Sequence, residues 1–335
     1  QLTFPKTSYD GQIVKMWTDR VTKLTRGELK FELLSKGEVV GLKETLEAVD
    51  KGLVDGGAAW THYWSNYHPA AMLFGSPVAG GGIGLSTKSW LAWYFDNGGK
   101  ELYDRLWDEM GMNVKGFVMA SSGPEALGWF KEPIKNMDDF RKYRFRTPPG
   151  IPGQTYKDIG IASVSLSGGD ILPALEKGTI DAAEWCCPKP DLVFGFQKVL
   201  KNYYLQGLHQ NVVNGDVFFN KDVYNKLSKQ EKYAMEIASE AMITRNITNR
   251  AVENGKALIE LTSKHGVILH DTPADYFVEY MAAAKATIQK NSKENKFFDE
   301  VYQHMTAHAK IVVPFIAQME TSDASIGTAF AKAQK

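Results

Sequence analysis

The sequence predicts an α/β protein built from two similar lobes, and three observations support that prediction. The chain has 335 residues, 44% of them hydrophobic, which is long for one core and enough to bury two. Residues 46–60 (LEAVDKGLVDGGAAW) and 172–185 (LPALEKGTIDAAEW) repeat one pattern. In each copy a helical turn ends at a glycine, Gly52 or Gly178, before a short strand, small residues and a Trp. Two copies of a helix-to-strand unit favour two lobes, and two unrelated connections are the alternative.

Composition excludes several classes of function. The 39 basic side chains equal the 39 acidic ones, so the chain lacks the basic excess of a nucleic-acid-binding protein. We find no apolar run of about 20 residues, the length that a membrane-spanning helix needs. The two cysteines, Cys186 and Cys187, are too few for a disulfide scaffold and lack the spacing of a structural zinc site. We expect two small buried thiols beside a binding cleft.

Hydrophobic periodicity places the elements of the first half of the chain. Residues 11–25 carry apolar side chains at helical spacing, and residues 29–34 alternate as a strand. The glycine-rich stretch 74–82 lacks the signatures of phosphate-binding loops, and we expect a flexible loop or a hinge edge there. The pattern further predicts a helix over 42–51, a strand over 53–55, helical sequence over 85–110 and a strand over 114–119.

The second half alternates between strands and helices and ends in helical sequence. Ser228, followed three residues later by Glu231, predicts a capping box at the start of a very long helix over about 230–264. The remaining C-terminal residues are predicted to be helical, apart from a strand-like stretch at 267–269. Before the long helix, the pattern predicts strands over 143–146, 163–166 and 212–220 and helices over 154–160 and 169–177.

Four polar side chains lie just beyond predicted strand ends, where α/β proteins bind their ligands: Glu125, Arg146, Glu184 and Gln210. Arg146 could bind a carboxylate through two parallel hydrogen bonds, and a surface ion pair is the alternative. Glu184 follows small residues and precedes Trp185, so a buried carboxylate there needs an arginine or a cation as its partner. An ordinary salt bridge is the alternative for Glu184.

The sequence contains no recognisable catalytic motif. Its seven histidines are scattered, and no nucleophile, His and acid occur in a known arrangement. An enzyme such as a lyase or a hydrolase remains an alternative, with Glu125 and Glu184 as paired acid and base. The missing nucleophile, and the missing catalytic His near either Glu, argue against it.

Several motifs together resemble one protein family. Residues 25–30 (TRGELK), 168–185 (GGDILPALEKGTIDAAEW) and 195–199 (GFQKV) are similar to the extracytoplasmic solute-binding proteins of TRAP transporters, the DctP family. The second stretch resembles the subgroup that binds 2-oxo and 2-hydroxy monocarboxylates beside a metal ion. The resemblance continues through Tyr203-Tyr204 and covers most of residues 9–330.

The resemblance implies a two-lobed periplasmic binding protein. Its lobes would enclose a central ligand cleft and close on the ligand about a hinge, with a long hinge-spanning helix and a helical C-terminal region. The first lobe would comprise residues 1–120 plus 211–250 and the second 121–210 plus 251–300. Residues 301–335 would form a C-terminal helical extension.

The resemblance also assigns the candidate residues. Arg146 would bind the substrate carboxylate, and the metal ligands would be Glu184, Trp185 through its backbone carbonyl, Gln210 and Glu125. The subgroup normally has a Gln at the last of these positions, four residues before a Trp, and here Glu125 precedes Trp129 by the same spacing.

That departure bears on the cation and on the substrate. Two carboxylates favour a divalent, oxygen-preferring ion, so we expect calcium, with sodium as the alternative. Otherwise Glu125 would meet an amino or hydroxyl group of a different substrate. Trp185 and three further aromatic residues, Tyr63, Trp64 and Phe74, would line the substrate side of the cleft.

The resulting expectation is a transport protein and not an enzyme. It would capture a small, pyruvate- or lactate-like monocarboxylate with a bound metal ion in the periplasm, after removal of a signal peptide, and deliver it to TRAP membrane permease subunits. We expect no nucleic acid and no direct membrane insertion, and we consider a homodimer through the C-terminal helix. A larger or amino-bearing organic acid is the alternative ligand, and a sensor that presents its ligand to a receptor is an alternative role.

Overall fold

The computed structural model of the chain describes residues 1–166 and 168–333, which form a mixed α/β protein with two sheets. The prediction of an α/β fold is confirmed. In the first half the elements are α1 (Tyr9–Leu24), α2 (Thr45–Asp50), β1 (Gly56–Trp60), α3 (Ala71–Gly75), α4 (Thr87–Asp96), α5 (Gly99–Glu109), β2 (Val114–Ser121), β3 (Gly128–Phe130), α6 (Met137–Phe140), β4 (Arg144–Thr147), α7 (Ile151–Asp158) and β5 (Ala162–Ser165). The remaining elements are α8 (Gly168–Glu176), β6 (Ala182–Ala183), α9 (Pro188–Phe194), β7 (Asn202–Tyr204), β8 (Asn214–Asn220), α10 (Lys221–Lys226), α11 (Lys229–Lys264), β9 (Ile268–His270), α12 (Ala274–Glu294) and α13 (Lys296–Ala333).

The two sheets take their strands from different parts of the chain. The smaller sheet has the order β1-β8-β2 and is antiparallel throughout. The larger has the order β5-β4-β6-β3-β7-β9, in which β4 runs parallel to both β5 and β6. The chain crosses between the sheets after β2, after β7 and again along α11. This division accords with two lobes, whereas the exact lobe limits stay a prediction.

Helix α11 contacts both halves of the molecule. Its 36 residues correspond to about 54 Å of helix. It begins as predicted, because the Ser228 side chain accepts from the Glu231 N–H at 3.2 Å and the Glu231 carboxylate accepts from the Ser228 N–H at 2.8 Å. Met235 near its start packs in the core of the smaller sheet, and Leu261 near its end packs in the core of the larger one. One rigid element therefore spans both sheets.

Three of the element boundaries predicted from the sequence are wrong. Residues 29–34 form no strand, because their link to the N-terminal segment is a single backbone hydrogen bond from Leu2 to Leu34 rather than a ladder. The helical sequence 85–110 divides into α4 and α5, since Gly98 takes a left-handed φ of 79°. The strand predicted at 53–55 begins only at the small residues that follow, as β1.

The glycine-rich stretch is a packed turn rather than a flexible exposed loop. Val78 to Gly81 are buried, and the Ala79 N–H donates to the Leu208 carbonyl at 2.9 Å. Gly80 has a φ of 60°, and a Cβ there would lie 2.4 Å from the Leu85 carbonyl oxygen. This turn therefore fixes the segment before α4 against the crossover that follows β7.

One buried carboxylate in the smaller sheet makes stability depend on pH. Asp216 on β8 is fully buried and accepts hydrogen bonds from Thr61 at 2.8 Å and Tyr103 at 2.9 Å. Burial raises the pKa of Asp216 from 3.8 to about 7, although both hydrogen bonds lower it. The folded protein thus keeps this proton to a higher pH than the unfolded chain does. Its contribution to the free energy of unfolding falls as pH rises from about 4 to 7.

Asp216→Asn is expected to remove this pH dependence, because the amide oxygen still accepts both hydrogen bonds and never ionises. Between pH 5 and pH 8 the free energy of unfolding of the variant should rise, relative to wild type, by roughly 3 kcal/mol. Urea unfolding at the two pH values measures the difference. Asp19→Asn, in an exposed ion pair with Lys15, is the matched control and should show no such rise. Parallel pH profiles of wild type and Asp216→Asn would contradict the prediction.

Candidate functional site

The strand register brings two of the predicted residues together. β4 and β6 are parallel neighbours in which Arg146 lies opposite Ala183, so the next residue of the second strand, Glu184, reaches the Arg146 side chain. The Glu184 N–H also donates to the Arg146 carbonyl at 3.3 Å. Both side chains are buried, with Arg146 5% exposed and Glu184 fully enclosed. Parallel strands that end in a charged residue thus place an ion pair at their carboxyl edge.

Arg146 is engaged more fully by the protein than the sequence predicts. Nη1 donates to a carboxylate oxygen of Glu184 and, at 3.1 Å, to the Glu184 carbonyl. Nε and Nη2 donate to the Leu166 carbonyl at 3.1 and 3.0 Å. Among the residues that the structure describes, one N–H of Arg146, on Nη2, has no acceptor. With these contacts in place, Arg146 offers a ligand carboxylate one hydrogen bond, and its role toward a ligand stays a prediction.

Glu125 is a buried carboxylate with an unused oxygen. Its N–H donates to the Gln210 carbonyl at 3.0 Å, which fixes it beside the crossover after β7. Its side chain is 5% exposed, and its Oε2 has no hydrogen-bond partner among the residues that the structure describes. Burial raises the pKa of Glu125 well above its usual range, and the nearby charge of Glu184 adds to the rise. An ionised Glu125 therefore requires a cation.

Glu184 has the opposite electrostatic environment. Burial alone would raise the pKa of Glu184, but the charge of Arg146 and the neighbouring His209 outweigh it and leave the pKa below the usual value. Glu184 thus stays ionised beside its arginine. Its Oε2 nevertheless lacks a hydrogen-bond partner within the described parts of the chain.

His209 joins these two carboxylates, and sequence reasoning missed it. One ligand atom each from Glu125, Glu184 and His209 lie within 4.8 Å of one another. His209 Nε2 lies 3.4 Å from Glu184 Oε2, too poorly aligned for a hydrogen bond. The only sequence signal was its position directly before Gln210. Three buried atoms that lack hydrogen-bond partners among the described residues could hold a cation, and two carboxylates among them suit a hard ion such as calcium.

A cavity of about 80 Å³ adjoins this cluster. Of the predicted site residues, Tyr63, Glu125, Arg146, Trp185 and Gln210 line it, whereas Glu184 lies behind Arg146. The residues that line the cavity but were not predicted as ligand contacts are Asp10, Trp60, His62, Pro148, Pro149, Cys186, Pro190, Val213 and Arg250. Cys186 and its neighbour Cys187 are free and buried, as expected.

Two predicted aromatic residues do not line the cavity. Trp64 is 1% exposed and packs edge-on against Phe218 of β8, with ring centroids 5.7 Å apart. Phe74 is fully buried against Trp93 at 5.6 Å. Trp64 packs onto the smaller sheet, and Phe74 packs against Trp93 of α4 and Tyr103 of α5, so both belong to the hydrophobic core. Their assignment as cleft walls is therefore corrected, and Trp60 lines the cavity instead.

A larger cavity, of about 390 Å³, lies elsewhere, between α1 and the smaller sheet. Most of its lining is apolar, as at Trp17, Phe31 and Phe219, and none of the predicted site residues borders it. The buried polar residues predicted from the sequence converge at the smaller cavity beside Arg146, which is therefore the candidate site.

A family model described as "Bacterial extracellular solute-binding protein, family 7", the DctP family, matches residues 3–295. The chain belongs to this family. It is therefore a TRAP solute-binding protein and not an enzyme, and the alternative of a lyase or hydrolase is wrong. No helix within the described residues is both long and apolar enough to cross a membrane.

Several relatives of this DctP-family protein are described by the ligands that they bind. A monocarboxylate 2-oxoacid-binding periplasmic protein of a Nostoc species is 30% identical over 298 residues, 87% of this chain and 78% of that relative. A TRAP transporter solute-binding protein of Bordetella bronchiseptica, solved with copurified calcium and picolinate, has a TM-score of 0.90 at 24% identity and covers 100% of this chain and 97% of its own.

A periplasmic TRAP solute-binding protein of Colwellia psychrerythraea, with bound calcium and pyruvate, has a TM-score of 0.87 at 22% identity. It covers 98% of this chain and 97% of its own. At such identities the solved structures establish the fold alone. They confirm the predicted two-lobed periplasmic binding protein.

Proposed function

We propose that this TRAP solute-binding protein binds a small 2-oxo or 2-hydroxy monocarboxylate together with a calcium ion. One observation carries the proposal: unpartnered oxygens of Glu125 and Glu184 converge beside a cavity into which Arg146 brings a guanidinium. The single free N–H of Arg146 leaves a ligand carboxylate in need of a second positive group. A metal ion held by the two carboxylates supplies it. The stated ligands of the relatives, 2-oxo acids and calcium, support the same pairing.

The residues that would hold the ion are Glu125, Glu184, Gln210 and the backbone carbonyl of Trp185. All four positions offer oxygen, which calcium prefers over nitrogen. His209 would then remain beside Glu184 without binding the ion. Sodium is the alternative ion, and a relative from Pseudoalteromonas atlantica was solved with sodium and pyruvate.

The size of the cavity favours a short ligand. Its volume of about 80 Å³ is far below the roughly 300–1,000 Å³ of pockets that enclose drug-sized molecules. A pyruvate- or lactate-like acid suits such a volume better than a larger or amino-bearing organic acid. The partly exposed rings of Tyr63 and Trp185 would cover the apolar part of the ligand.

Pyruvate or lactate is expected to raise the melting temperature only when the protein contains calcium. A ligand that binds only the folded state stabilises it by roughly 2.7 kcal/mol at a hundredfold excess over its dissociation constant. The measurement is a thermal-shift series on native, chelator-treated and calcium-restored protein, with elemental analysis of each sample. Propylamine, which has no carboxylate, is the control ligand.

Each outcome of that series has a defined meaning. A shift that returns on adding calcium supports the proposal, and a shift that returns only with sodium supports the alternative ion. Zinc in the native sample would instead make His209 a ligand, since imidazole suits transition metals. An equal shift with fully demetallated protein would mean that Glu125 contacts the substrate directly and that the metal site is wrong.

We further propose that the protein works in the periplasm and delivers its ligand to TRAP membrane permease subunits. The family is one of extracellular solute-binding proteins, which supports that setting. The homodimer through the C-terminal helix stays a prediction. Its support is an apolar stripe on α13, a helix that begins at Lys296 rather than at 301. Exposed members of the stripe are Ile311, Phe315, Met319, Ile326 and Phe330.

A further inference from the structure

A second arginine, Arg250, lines the same cavity as Arg146, and no motif in the sequence pointed to it. It lies on α11, the helix that spans both sheets, and its side chain is 5% exposed. Its guanidinium carbon sits 4.7 Å from the ring centre of Tyr9 and 5.6 Å from that of Trp60. These two rings and the helix fix the position of the charged group.

The protein uses little of the hydrogen-bonding capacity of Arg250. Nη2 donates to Oδ1 of Asp10 at 2.8 Å. Nη1 lies 3.5 Å from the sulfurs of both Cys186 and Cys187, which are weak acceptors. Nε has no partner among the described residues. Arg146, by contrast, has all but one of its N–H groups engaged by strong oxygen acceptors.

A buried N–H group without an acceptor is unfavourable, and native proteins leave few of them. A ligand oxygen in the cavity that Arg250 lines would give the guanidinium a second strong acceptor. The net charge at this end of the cavity decides which acceptor fits. Asp10, with 29% of its side chain exposed, already neutralises Arg250. A second carboxylate on the ligand would place an uncompensated negative charge beside Asp10, whereas a neutral oxygen would not.

We propose that Arg250, held by Asp10, is a specificity-determining residue that donates a hydrogen bond to a neutral oxygen on the side chain of the ligand. This inference rests on the proposed function, since it assumes that the carboxylate end lies at Arg146. The substrate class is then a short 2-oxo monocarboxylate with a hydroxyl or carbonyl oxygen beyond its second carbon. A purely aliphatic analogue such as pyruvate binds the same site and leaves Arg250 unsatisfied.

The test compares pyruvate with hydroxypyruvate, which differ by one hydroxyl group. Titration calorimetry of the calcium-loaded protein should give hydroxypyruvate an affinity about tenfold to a hundredfold higher, as for a hydrogen bond to a charged donor. Arg250→Met should bring the ratio of the two affinities close to one. Arg245→Met, an identical change on the exposed side of the same helix, is the control and should keep the wild-type ratio.

Arg250→Met leaves the Asp10 carboxylate without its partner, which could destabilise the fold. The double variant Asp10→Asn/Arg250→Met removes that unpaired charge and should also give a ratio of the two affinities near one. Equal wild-type affinities for pyruvate and hydroxypyruvate, or a preference that survives in both variants, would overturn the inference. Tighter binding of oxaloacetate than of hydroxypyruvate would overturn the choice of a neutral oxygen. Wild-type protein that binds none of the three acids would instead refute the proposed function.

Discussion

Arg146→Ala is expected to abolish binding of the ligand carboxylate and to destabilise the fold. The side chain donates to a Glu184 oxygen and to two backbone carbonyls, so its removal leaves Glu184 as a buried charge without its partner. Breaking a buried ion pair in this way destabilises a protein by roughly 3–5 kcal/mol. The same change removes the guanidinium that would bind the ligand. We therefore expect a lower melting temperature as well as the loss of binding.

Arg144→Ala is the matched control on the same strand. Arg144 pairs with Asp181 at 2.8 Å, but half of the Arg144 side chain is exposed. Its removal should therefore lower the free energy of unfolding by about 1 kcal/mol or less. Calorimetry with pyruvate and calcium, beside urea unfolding of both variants, separates binding from stability. Arg146→Lys keeps the charge and distinguishes a fold effect from a binding effect. If folded Arg146→Ala binds pyruvate with wild-type affinity, Arg146 is not part of the binding site.

Short-range pattern predicted that Arg146 and Glu184 lie at strand ends, but it did not predict that they pair with each other. Arg146 lies near the end of β4 and Glu184 directly follows β6, and parallel strands bring such residues to one edge of a sheet. The capping box of α11 is equally local, because the side chains of Ser228 and Glu231 each accept a hydrogen bond from the backbone N–H of the other residue. Local rules therefore located the charged edge and the long helix.

The residues that were missed or misplaced depend on packing between distant parts of the chain. His209 meets Glu184 only after the crossover from β7 to β8 has folded back, and Arg250 meets Asp10 across 240 residues of sequence. The family resemblance placed Trp64 in the cleft wall, but aromatic side chains occur in cores as well as in binding sites. Its place against Phe218 follows from the position of β8 in the smaller sheet, which no local pattern specifies.

Glu125→Gln is expected to change the preferred cation from calcium to sodium. In wild type the positive charges are two from calcium and one from Arg146, and the negative charges are one each from Glu125, Glu184 and the ligand carboxylate. They balance. With a neutral amide at position 125, the same sum balances for a monovalent ion. Because excess charge in a buried site is unfavourable, the variant should lose calcium affinity by about tenfold or more.

Titration calorimetry of demetallated protein with calcium or sodium, each with saturating pyruvate, measures this change. Glu132→Gln, at an exposed position near β3, is the control and should keep the wild-type preference. The amide keeps the shape and one oxygen of the carboxylate, so a loss of calcium affinity alone reports the missing charge. Unchanged calcium affinity in Glu125→Gln would contradict the prediction, because it would mean that the charge at position 125 does not select the cation. The identity of the cation therefore rests on the charge at this single position.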